Sequence, residues 1–337
     1  MHPFYSRAAF LAARAGIAYD SPMWRRSFLL TLASSLSSAA SPLPANKNVK
    51  WALSASLWSH YPRGPFTDIL DVMAGTGFIG IRLTGFPGIL KTYAMTASEM
   101  EREISKRNLQ VVTISFGGPV NDPAQHARVV ANAREAMRFL QGFGANRLVV
   151  FPPARMKPDQ DIDAGFSAMC QGFNRIGEAA GEMGFQAGVH NHLGEMVQTR
   201  EEIDRCMQLT DPALFHFAPD TAHLHLAGCD VVKTFDKYRH RLVFMDYKDA
   251  RWTAPKTDVV LPNGQMEKRD SEAAKFFESI YDLGDGDIDF PGCHRILKEI
   301  GYKGWICVDL DRTRNGPRAS YVRCGDYIVD RLEPIYL

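Results

Sequence analysis

The sequence has little net charge of either sign, no paired-cysteine motif and no long uninterrupted apolar run. Each shortage excludes something. The 39 Lys and Arg against 38 Asp and Glu give a formal charge of +1. That builds no long-range field for a polyanion, so a nucleic-acid partner would need a local basic patch, and none is evident. The six cysteines, Cys170, Cys206, Cys229, Cys293, Cys307 and Cys324, are scattered with no Cys-x-x-Cys pair and read as small core residues, not staples. No run reaches the roughly 18 apolar residues of a membrane span, which argues against stable membrane insertion. What remains, 45% apolar and 23% charged residues over 337 positions, is the composition of a soluble globular protein with one large core or two ordinary domains.

The first 45 residues stand apart. Met23-Trp24-Arg25-Arg26-Ser27-Phe28-Leu29-Leu30 sets a cationic pair before a moderately apolar, serine-rich run, and small residues follow at Ser38, Ala39, Ala40 and Ala45. These are the parts of an export signal. The adjacent arginines followed by Ser-Phe-Leu resemble a twin-arginine signal, whose route carries proteins already folded. On that basis residues 23–45 are the signal, 1–22 an upstream extension with Met23 the true start, and 46–337 a single domain. The expected location is the periplasm or beyond, with the twin-arginine translocation machinery as a partner during export. The alternative is an amphipathic leader helix that stays attached.

Beyond residue 46 short apolar runs alternate with helical patterns. Enrichment in β-branched and aromatic residues predicts strands at 51–57, 77–83, 110–116, 147–151, 185–190, 214–219, 242–247 and 305–310. Helices are marked by Ile69, Leu70 and Met73, and by Val129, Ala133, Ala136, Met137 and Leu140 after an Asn121-Asp122-Pro123 start. Others follow from Phe166, Cys170, Phe173, Ile176 and Met183, from a capping box at Thr199–Glu202, and from a pattern over 290–300 that stops at Gly301. Eight strands alternating with helices predict a parallel sheet, and eight such units closing on themselves make a (β/α)8 TIM barrel, an α/β fold. An open doubly wound sheet is the rival, but the first strand–helix turn carries no Gly-x-Gly-x-x-Gly to support it. The irregular connection is the long loop 250–287 after strand seven, with a hairpin turn at Asn263-Gly264 and a short helix near 272–280. Loops of that length are lids or disordered tethers, and this one would lie over the face where barrel enzymes place their sites.

The carboxyl ends of barrel strands converge on one mouth. Strand five ends in His190 and His192, strand six in Asp220 and His223, strand seven in Asp246, Lys248 and Asp249, and strand eight in Asp309 and Asp311. A mixed carboxylate and imidazole set suits Mn, Co, Mg or Zn, and His190, Asp220, Asp246 and Asp309 would make one. One aspartate after a strand is most often a helix cap, and one histidine a hydrogen-bonded core residue. Four at corresponding strand ends are harder to dismiss. Lys248 beside Asp249 fits a general acid or a carbonyl-polarising cation oriented by its neighbour, against a surface ion pair worth little. Gly284 and Gly286 read either as a tight loop whose amides meet substrate or as turn formers alone.

The stretches VHNHLGEMVQTREEIDR, APDTAHLHLAGCD, YKDAR, LGDGDIDFP and LKEIGYKGWICVDLD resemble the xylose-isomerase-like barrels of sugar isomerases, epimerases and inosose dehydratases. The first two are most similar to the inosose dehydratase branch. The resemblance implies a divalent metal at the barrel mouth that binds a keto-hydroxy pair, with strand-end acids and bases moving a proton next to the carbonyl. By the same resemblance, His190 falls where epimerases have a glutamate and the dehydratase branch a histidine. Asp220 falls on the metal aspartate of strand six. His223 falls on the substrate-facing histidine of an Asp-Thr-Gly-His motif, with Ala222 in place of its glycine. Asp246 stands where the family has a metal histidine, Asp309 where it has a glutamate, and Arg82 where many relatives carry a glutamate. Catalytic roles then fall to His190, Asp309, Lys248 and His223. Substrate contacts fall to His192, Asp249 and Arg82, the last either binding a substrate oxygen or pairing with an acid.

The expected function is therefore a metal-dependent isomerase, epimerase or dehydratase/lyase on a small sugar or keto-polyol. It would abstract a proton α to a carbonyl through a metal-stabilised enediolate. The His190 pattern favours elimination, and export favours an oxidised sugar such as a 3-keto-glycoside. One alternative is a sugar-binding barrel without chemistry, motivated by the altered ligands at Asp246 and Asp309. A nuclease of the same fold is disfavoured by the lack of a larger His-rich three-metal cluster and of a basic patch.

Overall fold

A computed structural model describes Leu43 and residues 48–336. The segments expected to be an upstream extension and, Leu43 apart, an export signal lie outside the described residues. Among the described residues no helix is long and apolar enough to cross a membrane.

Eight parallel strands form the centre: β1 (Val49–Ser54), β2 (Gly80–Leu83), β3 (Gln110–Gly117), β4 (Arg147–Phe151), β5 (Gln186–Val189), β6 (Phe215–Phe217), β7 (Met245–Tyr247) and β8 (Gly304–Val308). Their order is β6-β5-β4-β3-β2-β1-β8-β7. Parallel bridges from Phe217 to Leu242 and from Asp220 to Asp246 bring the two ends together, so the sheet curls into the predicted (β/α)8 arrangement. Around it run α1 (Phe66–Ala74), α2 (Ala97–Ser105), α3 (His126–Gln141), α4 (Ile162–Glu182), α5 (Arg200–Leu209), α6 (Val231–Lys237), α7 (Phe290–Glu299) and α8 (Pro317–Tyr327). The expected capping box is formed at the start of α5, where Thr199 and Glu202 satisfy each other's backbone amides.

Alternation along the strands decides what reaches the interior. Trp51, Leu53, Met245, Tyr247, Ile306 and Val308 belong to the large buried cluster, while Ala52, Val112, Val149, Ala218, Phe244 and Cys307 pack together as a separate small one. Continuing the inner set by two residues gives Ser54, Asp246 then Lys248, and Asp309. The polar groups of the mouth therefore share a side with the small inner cluster, one step toward the carboxyl ends.

Several boundaries differ from expectation. β1 lies two residues earlier and is followed by a 3-10 turn at Ser56–His60. A short helix, Thr221–Leu226, starts directly after β6 with Asp220 as its cap. Neither α6 nor α8 was predicted. The 250–287 segment is folded: Asp249–Ala250 pairs with Ile280–Tyr281, a hairpin pairs Val259–Val260 with Met266–Glu267, and Glu272–Ser279 is helical. The Asn263-Gly264 turn is present, with Gly264 at φ +85° and its amide on Leu261 O. This segment packs on the mouth. Phe276 stacks on His223 with ring centroids 5.0 Å apart, Phe277 meets the edge of His60 at 4.9 Å, and Glu278 pairs with Arg312 and Arg314.

Candidate active site

The strand ends are fixed before any charge is considered. Backbone ladders continue into the site, with His190 N on Val150 O at 2.9 Å, Asp246 N on Pro219 O at 2.9 Å and Asp309 N on Tyr247 O at 3.1 Å. The Asn191 side chain donates to Asp220 O at 3.2 Å and accepts from Asp220 N at 3.0 Å. Thr221 Oγ1 accepts from Lys248 N at 2.9 Å and donates to Lys248 O at 2.8 Å. These two polar side chains of the sequence motifs thus hold Asp220 and Lys248 in register.

The mouth is a buried network of charge. Arg82 Nη1 lies 3.0 Å from Asp246 Oδ2 and Nη2 lies 3.1 Å from Asp309 Oδ2, with Nε and Nη2 also donating to Ser54 Oγ at 3.2 and 3.0 Å. Lys248 Nζ sits among Asp220 Oδ2 at 3.1 Å, Asp309 Oδ2 at 2.7 Å and Asp311 Oδ2 at 2.6 Å. Ser56 donates to the other oxygen of Asp309. His190 Nδ1 is 3.2 Å from Asp246 Oδ2, and its Nε2 is 3.9 Å from Asp220 Oδ2. His223 Nε2 is 4.0 Å from the same Asp220 oxygen. His192 lies beside His223, ring centroids 3.9 Å apart.

Burying three carboxylates, with the partly exposed Asp311 at their rim, against two cations leaves negative charge to be compensated. Burial, only partly opposed by Lys248 and His190, pushes Asp220 up to about 6. At Asp246 burial outweighs Arg82, and the carboxyl is pushed up to about 7. Burial acts on Asp309 and Asp311 as well, but there the cations win: Lys248 and Arg82 hold Asp309, and Lys248 holds Asp311, well below the usual carboxylate range. Burial also pulls His190 and His192 down to about 3 and His223 well below its ordinary value. All three imidazoles are neutral at pH 7.

The structure thus gathers His190, His192, Asp220, His223, Asp246, Lys248, Asp309 and Arg82 into one mouth, but not with all the expected roles. Asp246 and Asp309 are engaged by Arg82, and Asp309 also by Lys248, so the four-ligand set of His190, Asp220, Asp246 and Asp309 is not presented as such. The shorter aspartates leave room for the guanidinium between them. Arg82 takes the acid-pairing alternative. Asp249 departs furthest: it lies outside the cluster, and its carboxylate accepts from the amides of Gly284 at 2.8 Å, Gly286 at 2.9 Å, Ala250 at 2.9 Å and Ile288 at 3.3 Å. Gly284 and Gly286 serve as turn formers around it; a Cβ on Gly286 would come within 2.2 Å of Asp249 Oδ1. Lys248 is accordingly oriented by Asp220, Asp309 and Asp311. Ser54, Ser56 and Phe276 carry no sequence signal of their own and complete the site.

A trio remains for a metal. One donor atom each of His190, Asp220 and His223 lies within 4.8 Å of the others. Asp220 Oδ2 faces the trio with the Lys248 ammonium 3.1 Å away, His223 Nε2 is buried without a hydrogen-bond partner, and Asp220 Oδ1 caps the following helix through His223 N at 3.0 Å. Two imidazoles and a carboxylate fit a divalent transition ion better than magnesium, which prefers an all-oxygen shell.

The family described as xylose isomerase-like TIM barrel matches residues 70–323. The inosose dehydratase of Bacillus licheniformis is 34% identical over 264 residues, covering 72% of this chain and 80% of its own. That of Salmonella typhimurium is 27% identical over 286 residues, 81% of this chain and 90% of its own. Among solved structures, the probable 3-DHS dehydratase AsbF of Bacillus anthracis has a TM-score of 0.65 at 15% identity, covering 84% of this chain and 99% of its own. The IOLI protein with a binding zinc atom has a TM-score of 0.64 at 14% identity, covering 85% and 99%. At these identities the structures establish the fold. The family match and the dehydratase relatives make this an enzyme of the sugar isomerase, epimerase and dehydratase type. The chain belongs to the xylose isomerase-like TIM barrel family.

Proposed function

We propose that the chain removes the proton α to the carbonyl of a keto-sugar or keto-polyol and expels the oxygen β to it, a dehydratase or lyase reaction. The observation that carries this reading is one buried mouth with neutral imidazoles facing two fixed cations. His192 Nδ1 donates to Leu193 O at 2.8 Å, which leaves the lone pair on Nε2. Of the three imidazoles His192 alone keeps partial solvent access, so it is the base that reaches substrate; His190 and Asp309 are held by their partners. Proton transfer to His192 creates an imidazolium that burial, His190 and Lys248 disfavour and Asp311 offsets only in part, so the proton is readily passed on. That proton then serves the departing oxygen, and the C–H electron pair becomes the new double bond. Lys248, with Arg82 behind it, faces the oxygen on which negative charge grows, and such preorganised charge is typically the largest contribution to catalysis. His190, Asp220 and His223 would hold a zinc, cobalt or manganese ion, which when bound supplies Lewis-acid polarisation of the carbonyl.

Proton NMR in D2O tests this on the full chain supplied with Zn2+, Co2+ or Mn2+, using an inosose and a 3-keto-glucoside. Loss of the α-proton with release of the leaving group is expected. Exchange without release would move the assignment to an isomerase or epimerase, and neither signal would sink it. The Arg25-Arg26 signal supports an exported substrate such as a 3-keto-glycoside. If it directs export, Arg25→Lys with Arg26→Lys retains the chain in the cytoplasm on cell fractionation; unchanged distribution argues against it.

A further inference from the structure

We infer that Lys248 and a divalent cation are mutually exclusive occupants of Asp220, so that loading the site expels the lysine ammonium from that carboxylate. The inference rests on the metal trio proposed above and deepens it. Asp220 has one oxygen to give: Oδ1 caps the helix at Thr221–Leu226, and Oδ2 is the atom 3.1 Å from Lys248 Nζ. A metal held by Asp220 would use that same Oδ2, where a divalent ion and an ammonium crowded on one oxygen repel each other.

Two further features belong to the lysine-held arrangement. Around Oδ2 the His190 and His223 nitrogens stand 3.9 and 4.0 Å away, whereas donors about 2.0–2.1 Å from a tetrahedral ion lie roughly 3.3 Å apart. The trio is expanded and would contract around an ion. His223 Nδ1 also accepts from Leu193 N–H at 3.3 Å, a tautomer that puts the ring proton on Nε2, the nitrogen turned toward Asp220. Ligation through Nε2 requires that proton to move to Nδ1 and the long Leu193 contact to be given up. The expelled ammonium has somewhere to go, because Asp309 and Asp311 hold it at 2.7 and 2.6 Å without Asp220. Lys248 is therefore a resident cation that keeps the acids of the mouth assembled and sets the affinity of any ion entering it.

Calorimetric titration of Zn2+ and Co2+ into the full-length wild type, Lys248→Met and Asp220→Asn tests this, with Co2+ also followed by visible absorption. Lys248→Met is expected to bind at least about tenfold more tightly than wild type, and Asp220→Asn to lose the site. Equal or weaker binding by Lys248→Met overturns the inference and leaves the metal trio standing. Binding by neither protein overturns both. Because Lys248→Met strips the buried Asp220 and Asp309 and the partly exposed Asp311 of their ammonium and can misfold, the wild type gives an independent reading. With lysine side-chain nitrogens labelled, the protected ammonium resonance shifts on Zn2+ saturation. An unchanged resonance with Zn2+ bound overturns the inference.

Discussion

Replacing Arg82 by methionine keeps most of the aliphatic volume and removes the guanidinium that ties β2 to β7 and β8. Its contacts at 3.0 Å to Asp246 and 3.1 Å to Asp309 are fully buried, and breaking a buried pair from one side costs about 3–5 kcal/mol. The two aspartates are not equally exposed to that loss. Asp309 keeps Lys248 and Ser56. Asp246 loses its close cation, and its escape is to take a proton, which burial already favours by pushing it up to about 7. A carboxyl whose folded pKa is raised contributes stability at low pH and loses it as pH rises through that pKa. Arg82→Met raises the Asp246 value further, so the native variant keeps a proton that the wild type has released. The stability gap between the two proteins therefore widens with pH, by up to about 1.4 kcal/mol per unit above pH 7. We expect a deficit of about 2 kcal/mol at pH 5 that grows to roughly 3 kcal/mol at pH 8, read from urea unfolding followed by circular dichroism. Adding Asp246→Asn to Arg82→Met should flatten the pH dependence and recover part of the pH 8 loss. A gap that is constant with pH, or largest at pH 5, would refute this account of the network.

Three other outcomes follow from contacts outside it. Asp249→Ala strands the amides of Gly284, Gly286 and Ile288 and should lower stability by about 2–4 kcal/mol while opening the 282–288 loop to proteolysis; a rise in KM at unchanged Tm would instead restore Asp249 as a substrate contact. His294, buried against Trp51 and pulled down to about 3 by burial, is neutral in the native state while the unfolded chain protonates below about pH 6.5. It thus contributes stability that is present above pH 6.5 and lost as pH falls toward 3. His294→Phe should remove about 1.4 kcal/mol per pH unit of that slope between pH 6 and 4, and parallel urea-stability curves would contradict it. Phe276→Ala removes the ring stacked on His223, an interaction of about 0.5–1.5 kcal/mol. Acylation of His223 by diethylpyrocarbonate, mapped by mass spectrometry, should then run about two- to tenfold faster; an unchanged rate would mean the 250–287 segment does not shield the mouth.

The barrel was legible because short apolar runs with strict alternation betray both strand and side. In FMDYKD, Phe244, Asp246 and Lys248 share one parity and Met245, Tyr247 and Asp249 the other, so the period of two that brought Asp246 and Lys248 inside also sends Asp249 out. That signal was present and outweighed by proximity to Lys248. The missed helices had weaker signals. α6 has seven residues, and in α8 Tyr321 and Cys324 are the large buried side chains among charged and small neighbours. What a single chain does not carry is the pairing across the barrel. Ser54, Arg82, Asp246 and Asp309 come from four different strand ends, and only closure of the sheet shows that one guanidinium reaches three of the others.

That closure also joins three departures from the family pattern into one. By the resemblance, relatives place a glutamate at position 82, a histidine at 246 and a glutamate at 309, where this chain has Arg82, Asp246 and Asp309. Taken singly, each looks like damage to a metal site: a cation replaces an acid, a ligand changes type, and another loses a methylene. Taken together, they are complementary. A guanidinium cannot be buried without carboxylates, and two aspartates supply them at 3.0 and 3.1 Å, their shorter side chains leaving the space that the longer arginine fills. Glutamate at 82 alone would set a buried anion against Asp246 and Asp309, histidine at 246 alone would leave Arg82 with Asp309 as its one carboxylate, and glutamate at 309 alone would keep the charge but crowd the guanidinium. The trio of His190, Asp220 and His223 touches that network through His190 Nδ1, 3.2 Å from Asp246, and Asp220 Oδ2, 3.1 Å from Lys248, so an ion entering there would answer to the same charges.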